Sequence, residues 1–80
     1  MEFLELVLAE AMLNKLPVVA TKVGGMRYIV KDTVTGFLVE KFDVEDIYQK
    51  LNALCHDQEL RSQLGDEGYL RALKYYTEEQ

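Results

Sequence analysis

Two glutamates near the start of the chain, Glu2 and Glu10, have the residue type and spacing to bind a ligand rich in hydroxyl groups. Each carboxylate oxygen can accept a charge-assisted hydrogen bond from a hydroxyl. Glu10 lies within the apolar stretch 8–12, where an unpaired buried carboxylate is costly. We therefore expect Glu10 at the rim of a ligand cleft. On spacing alone, solvated carboxylates on a helix surface are the alternative.

A pair of glycines, Gly24 and Gly25, follows an apolar segment and precedes another. Open α/β sheets bind ligands at the carboxyl ends of their strands, so the pair is a candidate binding turn. A tight strand-to-helix turn without a ligand is the alternative. Lys22 and Arg27 flank the pair, and for both we favour solvated surface over a phosphate contact.

The remaining chemically capable residues favour structural roles. Cys55 and His56 are adjacent, and neighbouring residues on a helix do not face each other, so we expect a structural Cys55 and a surface His56. Three tyrosines near the end of the chain are expected to pack in the core: Tyr69, Tyr75 and Tyr76. Three acidic residues are expected to mark the start of a helix rather than a metal site: Asp43, Glu45 and Asp46.

The elements that must position these residues alternate between helix and strand. Residues 3–15 are rich in Leu, Ala, Glu and Met, which predicts a largely buried helix. Pro17 prevents that helix from continuing, because the residue before a proline avoids the helical region. Residues 16–21 and 37–39 are short apolar runs without alternation, a pattern typical of strands covered on both faces.

A short helix over residues 26–30 and a polar turn over residues 31–36 are predicted between the two strands. Three helices are predicted to follow, one from Asp43, one from Asp57 to Gly65, and one that carries Tyr69 to Tyr76. The order α-β-α-β-α-α-α predicts an α/β fold: a short parallel sheet of two strands with flanking helices and a right-handed crossover.

Composition narrows the class of protein. The chain has 80 residues and a formal net charge of −5, which argues against nucleic acid as a partner because phosphate binding needs a basic face. No apolar run approaches the length of a transmembrane helix, and the acidic start resembles no targeting signal. A single cysteine excludes an internal disulfide framework. We expect a cytoplasmic protein.

The size and the two ends of the chain suggest part of a larger domain. Two strands make a very small parallel sheet, whose faces and edges must both be covered. Thr77 with Gln80 three residues later resembles a capping box, which predicts the start of a further helix there.

The motifs, taken in chain order, resemble the C-terminal nucleotide-sugar-binding domain of GT-B fold glycosyltransferases, and most closely the retaining group called family 4, the glycosyl transferases group 1. The motifs are Glu2-x7-Glu10-Ala11-Met12, Leu16-Pro17-Val18-Val19-Ala20-Thr21, Val23-Gly24-Gly25, Asp32-x-x-Thr35-Gly36-Phe37-Leu38-Val39, Asp43-Val44-Glu45-Asp46, Asp57-Gln58-Glu59-Leu60-Arg61, Leu64-Gly65-Asp66-Glu67-Gly68 and Tyr76-Thr77-Glu78-Glu79. The resemblance covers essentially the whole chain and implies that residues 1–80 are a partial Rossmann-like domain.

The resemblance implies roles for individual residues. In such enzymes the position of Glu10 binds the ribose hydroxyls of the nucleotide, and the position of Glu2, the catalytic candidate, lies by the donor sugar near the diphosphate. Backbone N–H groups at the start of the helix, around Leu6 and Val7, are expected to face the diphosphate, in line with the preference of anions for helix N-termini. The glycine pair would complete the substrate-binding set.

Four residues depart from the pattern of the family. Glutamate stands at position 5 and lysine at position 15, where the family commonly has glycine. Glu5 is expected to crowd and repel the diphosphate, and Lys15 must adopt a positive φ if the helix ends in a left-handed cap. Tyr28 replaces a glutamate, and Thr33 replaces a turn glycine.

The function implied by the resemblance is transfer of a sugar, with retention of configuration, from a nucleotide-diphosphate sugar to an acceptor hydroxyl. No metal or cofactor is implied, because protein cations and helix ends stabilise the leaving diphosphate in this group. The acceptor-binding N-terminal domain and the basic residues for the diphosphate would lie outside this chain, so we expect the isolated chain to bind donor weakly and to be inactive. The alternative is a non-catalytic α/β interaction module with a degenerate donor site.

Overall fold

The computed structural model describes the backbone of residues 2–24 and 26–78, and the side chains within residues 5–24 and 26–77. Four helices and two strands follow one another in the described residues. They are α1 (Glu2–Leu13), β1 (Val18–Thr21), α2 (Met26–Ile29), β2 (Gly36–Val39), α3 (Val44–His56) and α4 (Gln58–Glu78). This order confirms the predicted α/β fold, with one difference in the last helices.

The sheet is parallel, as predicted. Val18 is paired with Gly36 and Thr21 with Val39, and the N–H of Lys22 donates to the carbonyl of Val39 (3.0 Å) just beyond the strand. Gly36 is needed for this close approach, because a Cβ at position 36 would lie 2.5 Å from the carbonyl oxygen of Val18.

Both faces of the sheet are covered, which confirms the prediction from the unalternated strands. One buried cluster lies against α1, α2 and α4, and a smaller one lies against α3 and the start of α4. Their buried members are Leu8, Met12, Val18, Ile29, Val30 and Ala72 in the first, and Phe37, Leu54 and Leu64 in the second.

Helix α1 ends as the sequence predicts, with a lysine in the place of the usual glycine. The N–H of Leu16 donates to the carbonyl of Ala11 (3.0 Å) and the N–H of Lys15 to that of Met12 (2.9 Å), which is the Schellman arrangement. Lys15 has a φ of +60°, the left-handed conformation that such a cap requires.

The acidic starts of α3 and α4 act as helix caps. The side chain of Asp43 accepts from the N–H of Asp46 (3.0 Å), and that of Asp57 accepts from the N–H of Leu60 (2.9 Å). Each carboxylate therefore satisfies one of the N–H groups that have no partner within the first turn.

The last two predicted helices are one continuous helix of 21 residues, so the prediction that Gly65 ends a helix is wrong. Gly65 is buried inside α4, and a Cβ there would overlap the carbonyl oxygen of Lys15. The glycine lets α4 lie directly on the end of α1.

Thr77 does not start a new helix either, since it lies within α4 and its hydroxyl donates to the carbonyl of Leu73. Gln80, the other half of the predicted capping box, lies outside the described residues.

Tyr75 and Tyr76 pack against the first buried cluster as predicted, and Tyr69 is half-buried beneath the ammonium group of Lys15. His56 is exposed, as expected. Cys55 is also exposed, so its predicted structural role is wrong: it lies on the outer side of α3, whereas Leu54 beside it enters the core.

Candidate functional site

The two glutamates singled out by the sequence both lie on α1. They are eight positions apart, so they stand about 12 Å from each other along the helix axis. The side chain of Glu2 lies outside the described side chains, whereas Glu10 is exposed, as a ligand-binding carboxylate at a rim requires. At this separation the two groups cannot act on one atom, but they can hold two parts of an extended ligand.

The amides of Leu6 and Val7, predicted to lie at the start of the helix and to face the diphosphate, lie further along α1, and their contact with a diphosphate stays a prediction. Helix α1 begins at Glu2, so the N–H groups of Leu6 and Val7 fall in the second turn, where they bond within the helix. The amides without an intrahelical acceptor belong to the first turn, which begins at Glu2. Both side chains are exposed, that of Leu6 by 64%.

An apolar groove of about 440 Å³ runs between α1 and β1. Its lining residues are Val7, Leu8, Ala11, Val18, Val19, Ala20, Thr21 and Met26. Val7 comes from the helix of the two glutamates, and Met26 comes directly after the glycine pair. The groove thus connects the two regions that the sequence predicts to bind the donor.

Glu10 is not among the residues that line this groove, but it stands beside them on α1. It is three residues after Val7 and one before Ala11, both of which line the groove, and residues three apart on a helix are neighbours on its surface. A carboxylate beside an apolar groove suits a ligand that has both a flat apolar part and hydroxyl groups.

The glycine turn follows the carboxyl end of β1. Gly24 is exposed and has a φ of +50°, and a Cβ there would meet no atom within 4 Å. Its backbone conformation, rather than crowding, therefore favours glycine. Gly25 lies outside the described residues. The N–H of Met26 donates to the carbonyl of Val23 (3.1 Å) as the chain enters α2.

The cations beside the glycine pair have protein partners. Lys22 pairs with Glu40 (Nζ–Oε1 3.2 Å), and an Nη2 hydrogen of Arg27 is donated to the carbonyl of Lys22 (3.3 Å). Both side chains are exposed, which agrees with the surface role that the sequence favours.

Glu5, expected to repel the diphosphate, is half-buried on α1. Burial raises the pKa of the Tyr76 hydroxyl, and the nearby Tyr75 and the charge of Glu5 raise this pKa further.

Sequence reasoning missed one polar residue near the site, Arg71 of α4. Its Nε–H donates to the carbonyl of Ile29 (2.7 Å) and an Nη2 hydrogen to that of Tyr28 (2.6 Å). Tyr28 and Ile29 are the last two residues of α2. The separation of more than 40 residues along the chain leaves no local signal for this contact.

The family profile of the glycosyl transferases group 1 matches residues 2–71. The chain belongs to the glycosyl transferases group 1 family. This membership confirms the resemblance read from the motifs.

Similar proteins agree with this assignment. The sulfoquinovosyl transferase SQD2 of Arabidopsis thaliana is 43% identical over a match that covers 92% of this chain and 15% of that protein. The capsular polysaccharide biosynthesis glycosyltransferase CapM of Staphylococcus aureus is 39% identical, with 78% of this chain and 16% of that protein covered. The chain thus spans less than a fifth of the length of these relatives.

A crystal structure of the C-terminal domain of a glycosyl transferase group 1 family protein, LpcC of Francisella tularensis, has the same fold. It superposes with a TM-score of 0.78 at 37% identity and covers 85% of this chain and 35% of that one. None of the helices in the described residues is long and apolar enough to cross a membrane.

Proposed function

We propose that this chain is the donor-binding part of a retaining glycosyltransferase that takes its sugar from a nucleotide-diphosphate sugar. The observation that carries the proposal is the groove between α1 and β1, which has the residue after the glycine pair in its wall and the exposed Glu10 next to its lining residue Val7 on α1. The groove runs along β1, and the carboxyl end of this strand leads into the glycine turn, the region where α/β folds bind nucleotides.

The ligand would extend along α1. Glu10 accepts hydrogen bonds from the ribose hydroxyls, and Glu2, about 12 Å away along the helix, lies by the donor sugar and orients it. The diphosphate then comes near the first turn of α1, whose free amides and helix dipole favour an anion. Leu6 and Val7 take part through their exposed side chains rather than through their amides.

The rest of the reaction needs groups from outside this chain. The match to the solved C-terminal domain covers 35% of that domain, so a further part of such a domain lies outside the matched region. We propose that this further part of the domain brings the cations for the diphosphate, and that an N-terminal domain brings the acceptor. Neither metal nor cofactor is required, since protein cations and helix ends can stabilise the leaving group.

The alternative, a non-catalytic interaction module, is favoured by Tyr28. This residue replaces a glutamate of the family pattern and is 69% exposed. Glu5 favours the alternative as well, because its carboxylate on α1 would repel a diphosphate bound near this helix.

A kinetic test of Glu10 separates the two functions. In the complete transferase, Glu10→Ala should raise the KM for the donor by about tenfold to a hundredfold, because one or two charge-assisted hydrogen bonds to the ribose are lost. The KM for the acceptor should not change. Glu59→Ala, an exposed glutamate at the start of α4, is the matched control and should leave both constants unchanged.

An unchanged donor KM in Glu10→Ala would remove Glu10 from donor binding. A wild-type protein that neither binds nor turns over any nucleotide sugar would favour the interaction module instead.

A further inference from the structure

We propose that Arg71 is a positioning residue for donor binding, because its guanidinium group fixes α2 and thereby the glycine turn at the edge of the groove. The proposal rests on the function proposed above, since it concerns the same donor site. Nothing in the motifs of the chain assigns a role to this arginine.

The hydrogen bonds of Arg71 match the end of α2. The helix has only four residues, Met26–Ile29, so its last carbonyls find no N–H donor within the helix. Two N–H groups of the planar guanidinium reach two successive carbonyls, those of Tyr28 (2.6 Å) and Ile29 (2.7 Å). Bidentate, charge-assisted bonds of this kind fix both position and orientation, and a cation suits a helix C-terminus.

Helix α4 is the support that α1 and α2 share. Ala72, next to Arg71, is fully buried and belongs to the same cluster as Met12 of α1 and Ile29 of α2. A bond from α4 to α2 therefore sets the position of α2 relative to α1, which forms one wall of the groove, while α2 contributes Met26 to its lining.

Helix α2 is too short to hold its own position. A four-residue helix has one hydrogen-bonded turn, and the cost of nucleating such a turn is not recovered by further turns. Its N-terminal end continues directly from the glycine turn, so a shift at its C-terminal end is transmitted to Met26 and Gly24. The groove would then lose its shape on the side away from Glu10.

The test compares Arg71→Ala with Arg71→Lys and with the control Lys74→Ala in the complete transferase. Lys74 is exposed and lines the same cavity of about 190 Å³ as Arg71, together with Tyr28 and Tyr75. Two quantities are measured: the KM and kcat for donor and acceptor, and backbone amide exchange by mass spectrometry over residues 22–30.

Arg71→Ala should raise the donor KM roughly tenfold, as expected for the loss of hydrogen bonds to a charged group, with kcat and the acceptor KM unchanged. Amide exchange over residues 22–30 should become faster, while exchange in α3 stays slow. Arg71→Lys can still donate to one carbonyl, so its donor KM and its amide exchange should lie between those of Arg71→Ala and the wild type. Lys74→Ala should change neither the donor KM nor the exchange.

Faster exchange in Arg71→Ala with an unchanged donor KM would overturn the proposal, because α2 would then be held by Arg71 without effect on the donor. Unchanged exchange over residues 22–30 would overturn it as well. If Arg71→Ala does not fold, equal donor KM values in Arg71→Lys and the wild type would overturn the role. A wild-type protein that binds no donor would refute the proposed function itself. This outcome is distinguishable from failure of the role of Arg71, because amide exchange over residues 22–30 can be measured without a donor.

Discussion

At the scale of single residues, the chain keeps three side chains in a backbone conformation that favours glycine. Lys15, Thr33 and Phe42 have φ values of +60°, +66° and +68°. The sequence identifies two of them, because Lys15 and Thr33 stand where the family has glycine. A residue with a Cβ in this region of the backbone map costs about 1–2 kcal/mol, so each of the three positions lowers the free energy of unfolding.

Thr33→Gly should stabilise the chain by about 0.5–1 kcal/mol, the relief of this cost less the added entropy of the unfolded chain. Thr33 is the cleanest position to test, because its described contact is the backbone bond from its N–H to the carbonyl of Gly36 (2.8 Å). Lys15, in contrast, holds its ammonium 5.1 Å from the ring centre of Tyr69. Urea-induced unfolding measures the effect.

Thr33→Ala is the control, since it keeps the Cβ and should bring no such gain. Equal stabilisation by alanine and glycine would show that the threonine side chain, rather than the backbone conformation, is unfavourable.

At the scale of elements, local patterns predicted the helices and strands, whereas contacts between distant elements escaped prediction. The two strands, their parallel pairing and the caps at Asp43 and Asp57 follow from short-range signals. The role of Gly65 does not, because its need for glycine comes from the carbonyl of Lys15, 50 positions earlier in the chain. Arg71 escaped prediction for the same reason.

Two glycines of α4 should therefore respond in opposite ways to alanine. Gly65→Ala should destabilise the fold by about 1–3 kcal/mol, because its Cβ would overlap a backbone oxygen and α4 would have to move away from α1. Gly68→Ala should be neutral or stabilise the fold by up to about 1 kcal/mol, since its Cβ would lie 3.4 Å from the carbonyl oxygen of Thr35 and alanine is the better helix former.

Thermal unfolding of the two variants against the wild type measures both effects under the same conditions. An equal loss of stability in the two variants would show that the close contact of Gly65 with the end of α1 does not determine the effect of the substitution.

At the scale of the whole molecule, the candidate site is an apolar groove in a chain whose net charge is negative. The net charge is −5, and the two cations beside the glycine pair, Lys22 and Arg27, already bond to protein groups. A ligand that carries a diphosphate therefore gains contacts to Glu10 and to the groove, but it finds little positive charge in the described residues around it.

We therefore expect the isolated chain to bind a nucleotide sugar only weakly, with a dissociation constant of about 1 mM or higher, and to transfer no sugar. A titration followed by amide chemical shifts measures this affinity, and the shifts should concentrate around Val7, Glu10 and Gly24. Glu10→Ala should abolish them, whereas Glu59→Ala should leave them in place. Micromolar affinity, or turnover by the isolated chain, would contradict the view that the cations for the diphosphate come from another part of the transferase.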